Sequence, residues 1–203
     1  PIAAASIAQV HRATLVTPGR REDVAVKILR PGIKARFRAD LESYYAGAAL
    51  AERWVPSLRR LRPTDVVATL DRSARLELDL RLEAASISEM AENIKDDTGF
   101  IIPQVSWDHT AETVLTTSWV KGIPIRDLAA LDAAGIDRRA LSKTLLQSFL
   151  RHTIRDGFFH ADMHPGNLFA DPATGSVIAV DFGIMGRISH KERRFLADIL
   201  YGF

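Results

Sequence analysis

Three polar side chains in the last quarter of this chain, Asp162, Asn167 and Asp181, have the types and spacing needed to move a phosphoryl group. Asn167 follows Asp162 by five positions and Asp181 follows it by nineteen. The first carboxylate suits a catalytic base, or a group that orients an acceptor hydroxyl. The amide oxygen of Asn167 and the second carboxylate suit magnesium bridged to phosphates. Magnesium takes oxygen ligands and keeps several waters, so one amide and one carboxylate are enough protein. Asp, Asn, Gly and Pro all favour turns, which explains any one of these residues alone. It does not explain the three at this spacing.

The segments around them sharpen the reading. His160-Ala161-Asp162-Met163-His164-Pro165-Gly166-Asn167 is H-x-D-x-x-x-x-N, and Asp181-Phe182-Gly183 is D-F-G. Both have the order of a protein-kinase catalytic loop and its metal-binding motif. His160 is assigned to holding the loop backbone. A metal role for His160 with His164 lacks the further His, Cys or clustered carboxylates of a zinc set. Lys27 closes Val24-Ala25-Val26-Lys27, the V-A-x-K pattern of a strand whose lysine holds nucleotide phosphates and pairs with a Glu. Alone it reads as an edge-strand lysine. Glu77, Asp79 and Glu83 are the candidate partners on the following helix. Glu77 and Glu83 are one and two-thirds turns apart, so they do not share one face. Near the start, Ala3-Ala4-Ala5-Ser6-Ile7-Ala8-Gln9-Val10 is A-x-A-x-x-A-x-V, with Ala at every Gly position of a kinase phosphate loop. Ala resists positive φ, so this loop is expected to be stiffer, with Ala3, Ala4, Ala5 and Ser6 still able to turn backbone N–H groups toward phosphate. The alternative is a small-residue strand packed under a neighbour. No G-x-x-x-x-G-K-[ST] occurs, which excludes a P-loop NTPase.

Elements to position these residues are visible in the pattern. Strands are predicted over 7–16 and 23–29, joined by the Thr17-Pro18-Gly19 turn and ended by Pro31-Gly32. A helix follows over 33–61, interrupted by Pro56. A second runs to about Asn93 from an N-cap at Thr64 or Asp65, with an apolar stripe of Leu76, Leu80, Ile87 and Met90. Strands are expected from Phe100 to Trp107 and from Thr113 to Val120. A helix over 138–156 is capped by Gly157, Val177 to Val180 form a buried strand delivering Asp181, and a last helix starts near Ser189. This is an α+β chain with a sheet-containing N-lobe over 1–120 and a helical C-lobe over 121–203. The hinge falls near Trp119 to Gly122, which sets Trp119 and Val120 against a bound nucleotide.

The composition fits this reading. The 203 residues are 47% apolar and 26% charged, enough to bury a core. A net charge of +2 carries no overall nucleic-acid signature, and zero cysteines exclude disulfides, thiolate zinc sites and cysteine nucleophiles. No run of 18 apolar residues is present. Beginning at Pro1 inside a motif, the chain is expected to be an excerpt of a longer protein, truncated at both ends. Arg30, Lys34, Arg36, Arg38, Arg53, Arg59, Arg60 and Arg62, interleaved with Trp54, Val55 and Leu58, make the N-lobe basic. That stretch could meet an anionic membrane surface or be a solvated helix face.

Taken together, the chain resembles the UbiB/AarF-type atypical protein-kinase-like family. The carrying residues are Ala3 to His11, Val24 to Lys27, Glu77-Leu78-Asp79 with Glu83-Ala84, Asp156 to Asp162, His164-Pro165-Gly166-Asn167 and Asp181-Phe182-Gly183. They span essentially the whole chain. The resemblance implies a bilobal kinase-like fold, ATP and Mg²⁺ as cofactors, and kinase or ATPase activity. It implies lipid or quinone-pathway partners, and a cytoplasmic domain that is membrane-associated in the full-length protein. It makes Lys27 and Glu83 the nucleotide-positioning pair. Glu77 and Asp79 become an E-x-D motif that meets an N-terminal K-x-G-Q segment, which does not occur here. Met163 stands where the family usually has Pro. Rival readings are a nucleotide-binding pseudokinase scaffold and a small-molecule kinase of aminoglycoside-phosphotransferase type. The latter tends to carry D-x-D where this chain has D-F-G.

Overall fold

The computed structural model describes residues 1–4 and 6–202. An antiparallel hairpin, β2 (Ala8–Thr17) and β3 (Arg20–Leu29), organises the N-terminal part. Its register runs unbroken from Ala8↔Leu29 to Thr17↔Arg20. Pro18 presets the first turn position and Gly19, at φ +80°, takes the positive φ of the second. β1 (Ala3–Ala4) adds to the outer edge of β2, and β5 (Val114–Ser118) adds to β3, giving the order β1-β2-β3-β5.

Between β3 and β5 lie three helices. α1 (Ile33–Trp54) stops before Pro56, as the sequence predicts, and Pro56–Leu61 form a 3₁₀ turn. α2 (Pro63–Glu77) starts at Pro63 after Arg62, which adopts a left-handed φ of 49°. That start corrects the expected N-cap at Thr64 or Asp65: proline suits the first turn, where its missing N–H costs nothing. The single helix expected up to Asn93 is also two. Leu78 and Asp79 break it, and Asp79, in extended conformation, caps α3 (Leu80–Asn93) by accepting the Arg81 N–H at 3.1 Å. A short polar side chain competes for backbone donors in this way and favours caps over helix interiors.

The strand expected over Phe100 to Trp107 is reduced to β4 (Phe100–Ile101), because Pro103 has no N–H to donate and Trp107–His109 form a 3₁₀ turn. Next come β6 (Ile123–Pro124) and α4 (Leu128–Ala133), capped by Asp127. α5 (Arg138–Arg151), capped by Asp137, continues through a π-helical turn, His152–Asp156, to Gly157 at φ +68°. A Cβ at Gly157 would lie 2.7 Å from the Ile188 carbonyl oxygen, so glycine is required here for space as well as for φ. β7 (Phe158–His160), β8 (Leu168–Ala170), β9 (Val177–Ala179) and β10 (Met185–Arg187) follow, and α6 (His190–Tyr201) opens with a Ser189/Glu192 capping box. β4, β9, β8 and β6 form a second sheet, with β4 parallel to β9, while β10 pairs with β7. One apolar core joins the two parts: Ala8, Leu29, Ile87, Met90 and Leu115 are continuous with Phe158, Leu168, Ala179 and Phe182.

Candidate active site

Strand alternation places Lys27 on the same face of β3 as Ala25 and Leu29. Its register neighbours are Val10 on β2 and Leu115 on β5. On α3, Glu83 and Ile87 share a face at i, i+4, and that face turns toward Lys27. Lys27 Nζ donates to both carboxylate oxygens of Glu83, at 3.0 and 2.9 Å, and to Asp181 Oδ1 at 2.8 Å. Side-chain exposure is 18% for Lys27 and 7% for Glu83, against 49% for Asp181. Burial pushes the Lys27 pKa down, but Glu83 and Asp181 outweigh it and hold the group above the usual lysine value. Burial raises the Glu83 carboxyl, and the neighbouring ammonium only partly offsets this. For Asp181 burial acts upward as well, yet Lys27 prevails and keeps its carboxyl below the ordinary value.

Asp181 leaves β9 at φ 62°, a left-handed conformation costly for a residue with a Cβ. Its neighbour Phe182 is fully buried and packs against His160, with ring centroids 5.0 Å apart. Burying Phe182 contributes about 1.5–3 kcal/mol, enough to hold the strained residue beside it. His160 ties the catalytic-type loop to that anchor. Its Nδ1 accepts the Asp162 N–H at 3.1 Å, so Nε2 carries the proton and donates to the Val180 carbonyl at 3.3 Å. Asn167 is fixed twice. Its carbonyl accepts from Val180 N–H at 2.9 Å, and its Nδ2 donates to the Asp162 carbonyl at 3.3 Å. Using Nδ2 this way leaves Oδ1 as the free end of the amide, an oxygen donor suited to a hard cation. Among the described residues, no cluster of three or more His, Asp or Glu could hold a metal on protein ligands alone. Asn167 and Asp181 therefore fit magnesium that keeps waters or phosphate oxygens, not a closed protein site.

Lys27, Glu83, Asn167 and Asp181 form the polar end of a cavity of about 310 Å³. Val10, Ala25, Leu115, Trp119, Val120 and Phe169 supply its apolar walls. Ala3 lines it too, whereas Ala4 and Ser6 are exposed and Ala5 lies outside the described residues. Asp162 is exposed beside Asn167. Glu77 is exposed at the end of α2 and Asp79 is engaged with Arg81, so neither joins this cavity. Asp79 instead lines a second cavity, of about 590 Å³, with Lys34, Tyr45 and Asp71. Trp119 and Val120 are the wall residues that the hinge position predicts, whereas Val10, Ala25, Leu115 and Phe169 look like ordinary strand core. Their signal was the strand register that sets Val10 and Leu115 opposite Lys27.

A family model, the ABC1 atypical kinase-like domain, matches residues 1–203. The chain belongs to the ABC1 atypical kinase-like family. It is 43% identical over 206 residues to a protein of Marinobacter nauticus named "Probable protein kinase UbiB", covering 100% of this chain and 37% of that protein. A protein of the same name from Xanthomonas campestris pv. campestris is 43% identical over 205 residues, with 98% and 37% covered. The chain thus spans just over a third of these curated relatives. Among solved structures it is similar to the complex of Rv3197 with erythromycin from Mycobacterium tuberculosis, at 32% identity and a TM-score of 0.74, covering 92% of this chain and 45% of that one. ABC1 membership and this likeness agree with the α+β kinase-like fold read from the sequence. The kinase-like domain of the family implies nucleotide binding. No helix among the described residues is long and apolar enough to cross a membrane.

Proposed function

We propose that this domain binds ATP with Mg²⁺ and transfers or hydrolyses its terminal phosphoryl group. The observation that carries this is Lys27 held between Glu83 and Asp181 at the polar end of a cavity with apolar walls. The apolar end suits a base, with Trp119 and Val120 as the segment against it. We set the boundary between the two lobes there, between residues 120 and 121. The polar end suits phosphates. Lys27, kept charged by two carboxylates, is a fixed cation for phosphate oxygens, and Glu83 stops it from swinging away. Asp162, oriented through His160 and Asn167, would accept or steer the proton of the attacking hydroxyl or water. Magnesium, when bound, would be held by Asn167 and Asp181 and would neutralise charge on the phosphates. Within this reading Glu77 and Asp79 act outside the nucleotide cavity, at the α2–α3 junction.

The reading also places the protein in lipid or isoprenoid-quinone metabolism at a membrane. The membrane setting is supported by the α1–α2 hairpin, where Trp54, Val55 and Leu61 are exposed beside Arg53, Arg59, Arg60 and Arg62. The test is ATP turnover by the full-length protein, with and without anionic liposomes, for wild type, Asp162→Asn and Asp181→Asn. Loss of turnover in both variants is expected. Equal turnover in all three proteins would defeat the enzymatic reading, and ATP binding without turnover by the wild type would make the domain a nucleotide-binding scaffold.

A further inference from the structure

Arg12 belongs to β2, on the sheet that roofs the cavity, and does not line it. Its guanidinium sits over the Trp119 ring, 4.9 Å from the centroid, and is ion-paired with Asp23 of β3. Asp23 also takes the Thr14 hydroxyl at 3.4 Å, and its backbone carbonyl accepts the Trp119 N–H at 3.0 Å. The Arg12 guanidinium beside Asp23 holds its carboxyl below the usual aspartate range, so the pair stays charged at neutral pH. Trp119 is therefore fixed from two neighbouring strands, by its backbone and through its ring. Trp119 lines the cavity. At roughly 3.4 Å per residue it stands about 14 Å along the β5 direction from Leu115, the register partner of Lys27. That is the end of the cavity away from the phosphate-binding cation.

We propose that Arg12 is a positioning residue for the base of a bound nucleotide: with Asp23 it sets the Trp119 indole as the base-side wall. This rests on the nucleotide reading of the cavity. A guanidinium over one indole face does two things. It removes the ring's freedom to turn out into solvent, and it draws electron density from the ring, which improves stacking with an electron-rich purine. A cation–π contact at an exposed site corresponds to roughly a two- to five-fold change in an equilibrium constant. An exposed Arg–Asp pair with no such role would stabilise the fold only slightly and leave ATP affinity unchanged.

The experiment uses the full-length protein with Trp54→Phe, Trp107→Phe and any tryptophan outside these 203 residues likewise replaced, so that Trp119 alone reports. ATP is titrated while Trp119 emission is followed, and inorganic tripolyphosphate is titrated in competition. Arg12→Ala is expected to shift the Trp119 emission and weaken ATP roughly two- to five-fold. Tripolyphosphate affinity should stay unchanged, because it engages only the Lys27 end. Arg12→Lys, which keeps a cation over the ring, should recover most of the ATP affinity. An unchanged emission and ATP affinity in Arg12→Ala would overturn the inference. So would equal weakening of ATP and tripolyphosphate, which would mean a general loosening of the sheet. Failure of the Arg12-intact protein to bind ATP at all would instead defeat the nucleotide reading beneath it.

Discussion

Replacing Lys27 with methionine removes the cation from between Glu83 and Asp181 and keeps an apolar stem of similar length. Asp181 is half exposed and can recruit water, but Glu83 is 7% exposed and is left charged in an apolar wall. Breaking a buried pair from one side costs about 3–5 kcal/mol. Protonation caps that cost. Neutralising a carboxyl with an unfolded pKa near 4.3 costs about 1.36 kcal/mol per pH unit, hence about 3.7 kcal/mol at pH 7 and about 1 kcal/mol at pH 5. The sign follows from linkage. Without Lys27 the folded pKa of Glu83 rises further above its unfolded value, so the variant loses stability as pH increases from the unfolded value toward the folded one. The wild type gains from Lys27 throughout this window, because its pKa is raised above the usual lysine value and its contribution is lost only in alkali. The assay is urea unfolding at pH 5, 6 and 7 for wild type, Lys27→Met, Glu83→Gln and the double variant. The Lys27→Met penalty should grow by about 2 kcal/mol from pH 5 to pH 7, and adding Glu83→Gln should recover at least half of it at pH 7. A penalty that does not change with pH, or two substitutions that simply add, would refute the coupling.

Two further outcomes follow from other parts of the fold. Gly157→Ala places a Cβ 2.7 Å from the Ile188 carbonyl oxygen at a residue with φ +68°, so the melting temperature should fall by an amount equivalent to about 2 kcal/mol or more; an unchanged melt would show that the Gly157 turn is not held as described. Replacing Arg59, Arg60 and Arg62 together with Ala should weaken sedimentation with anionic vesicles by up to about 1 kcal/mol per residue, while neutral vesicles show no difference; equal sedimentation of both proteins would remove the α1–α2 hairpin from any membrane contact.

The polar residues of the candidate site are legible in the sequence as a set: a turn or an edge strand explains any one of Lys27, Asp162, Asn167 and Asp181, but not all four in this order and spacing. Lys27 amid Val and Ile, and Asp181 after Val177 to Val180, are charges in apolar runs, which demand partners. The end of α1 before Pro56 and the cap at Gly157 are legible for the same kind of reason, since few residues satisfy those backbone demands. The break between α2 and α3 is not, because Leu76, Leu80, Ile87 and Met90 continue at helical spacing across it. Only the conformation of Asp79 reveals that the stripe belongs to two helices. That break also determines which acidic residue meets Lys27: Glu77 ends one helix, and Glu83 lies in the first turn of the next. Strands β6, β8 and β10 are too short to show any periodicity. Of the cavity's apolar walls, Trp119 and Val120 are legible from the hinge, whereas Val10, Ala25 and Leu115 stay hidden because they become a pocket only when the strand register sets them around Lys27.

The most direct measurement is calorimetric titration of ATP into the full-length protein, with and without Mg²⁺, for wild type and Asp181→Asn. The account predicts one site per chain in the wild type, tightened by Mg²⁺, and a tightening lost when Asp181 can no longer offer a carboxylate. No ATP binding by the wild type, or the same response to Mg²⁺ in both proteins, would contradict it.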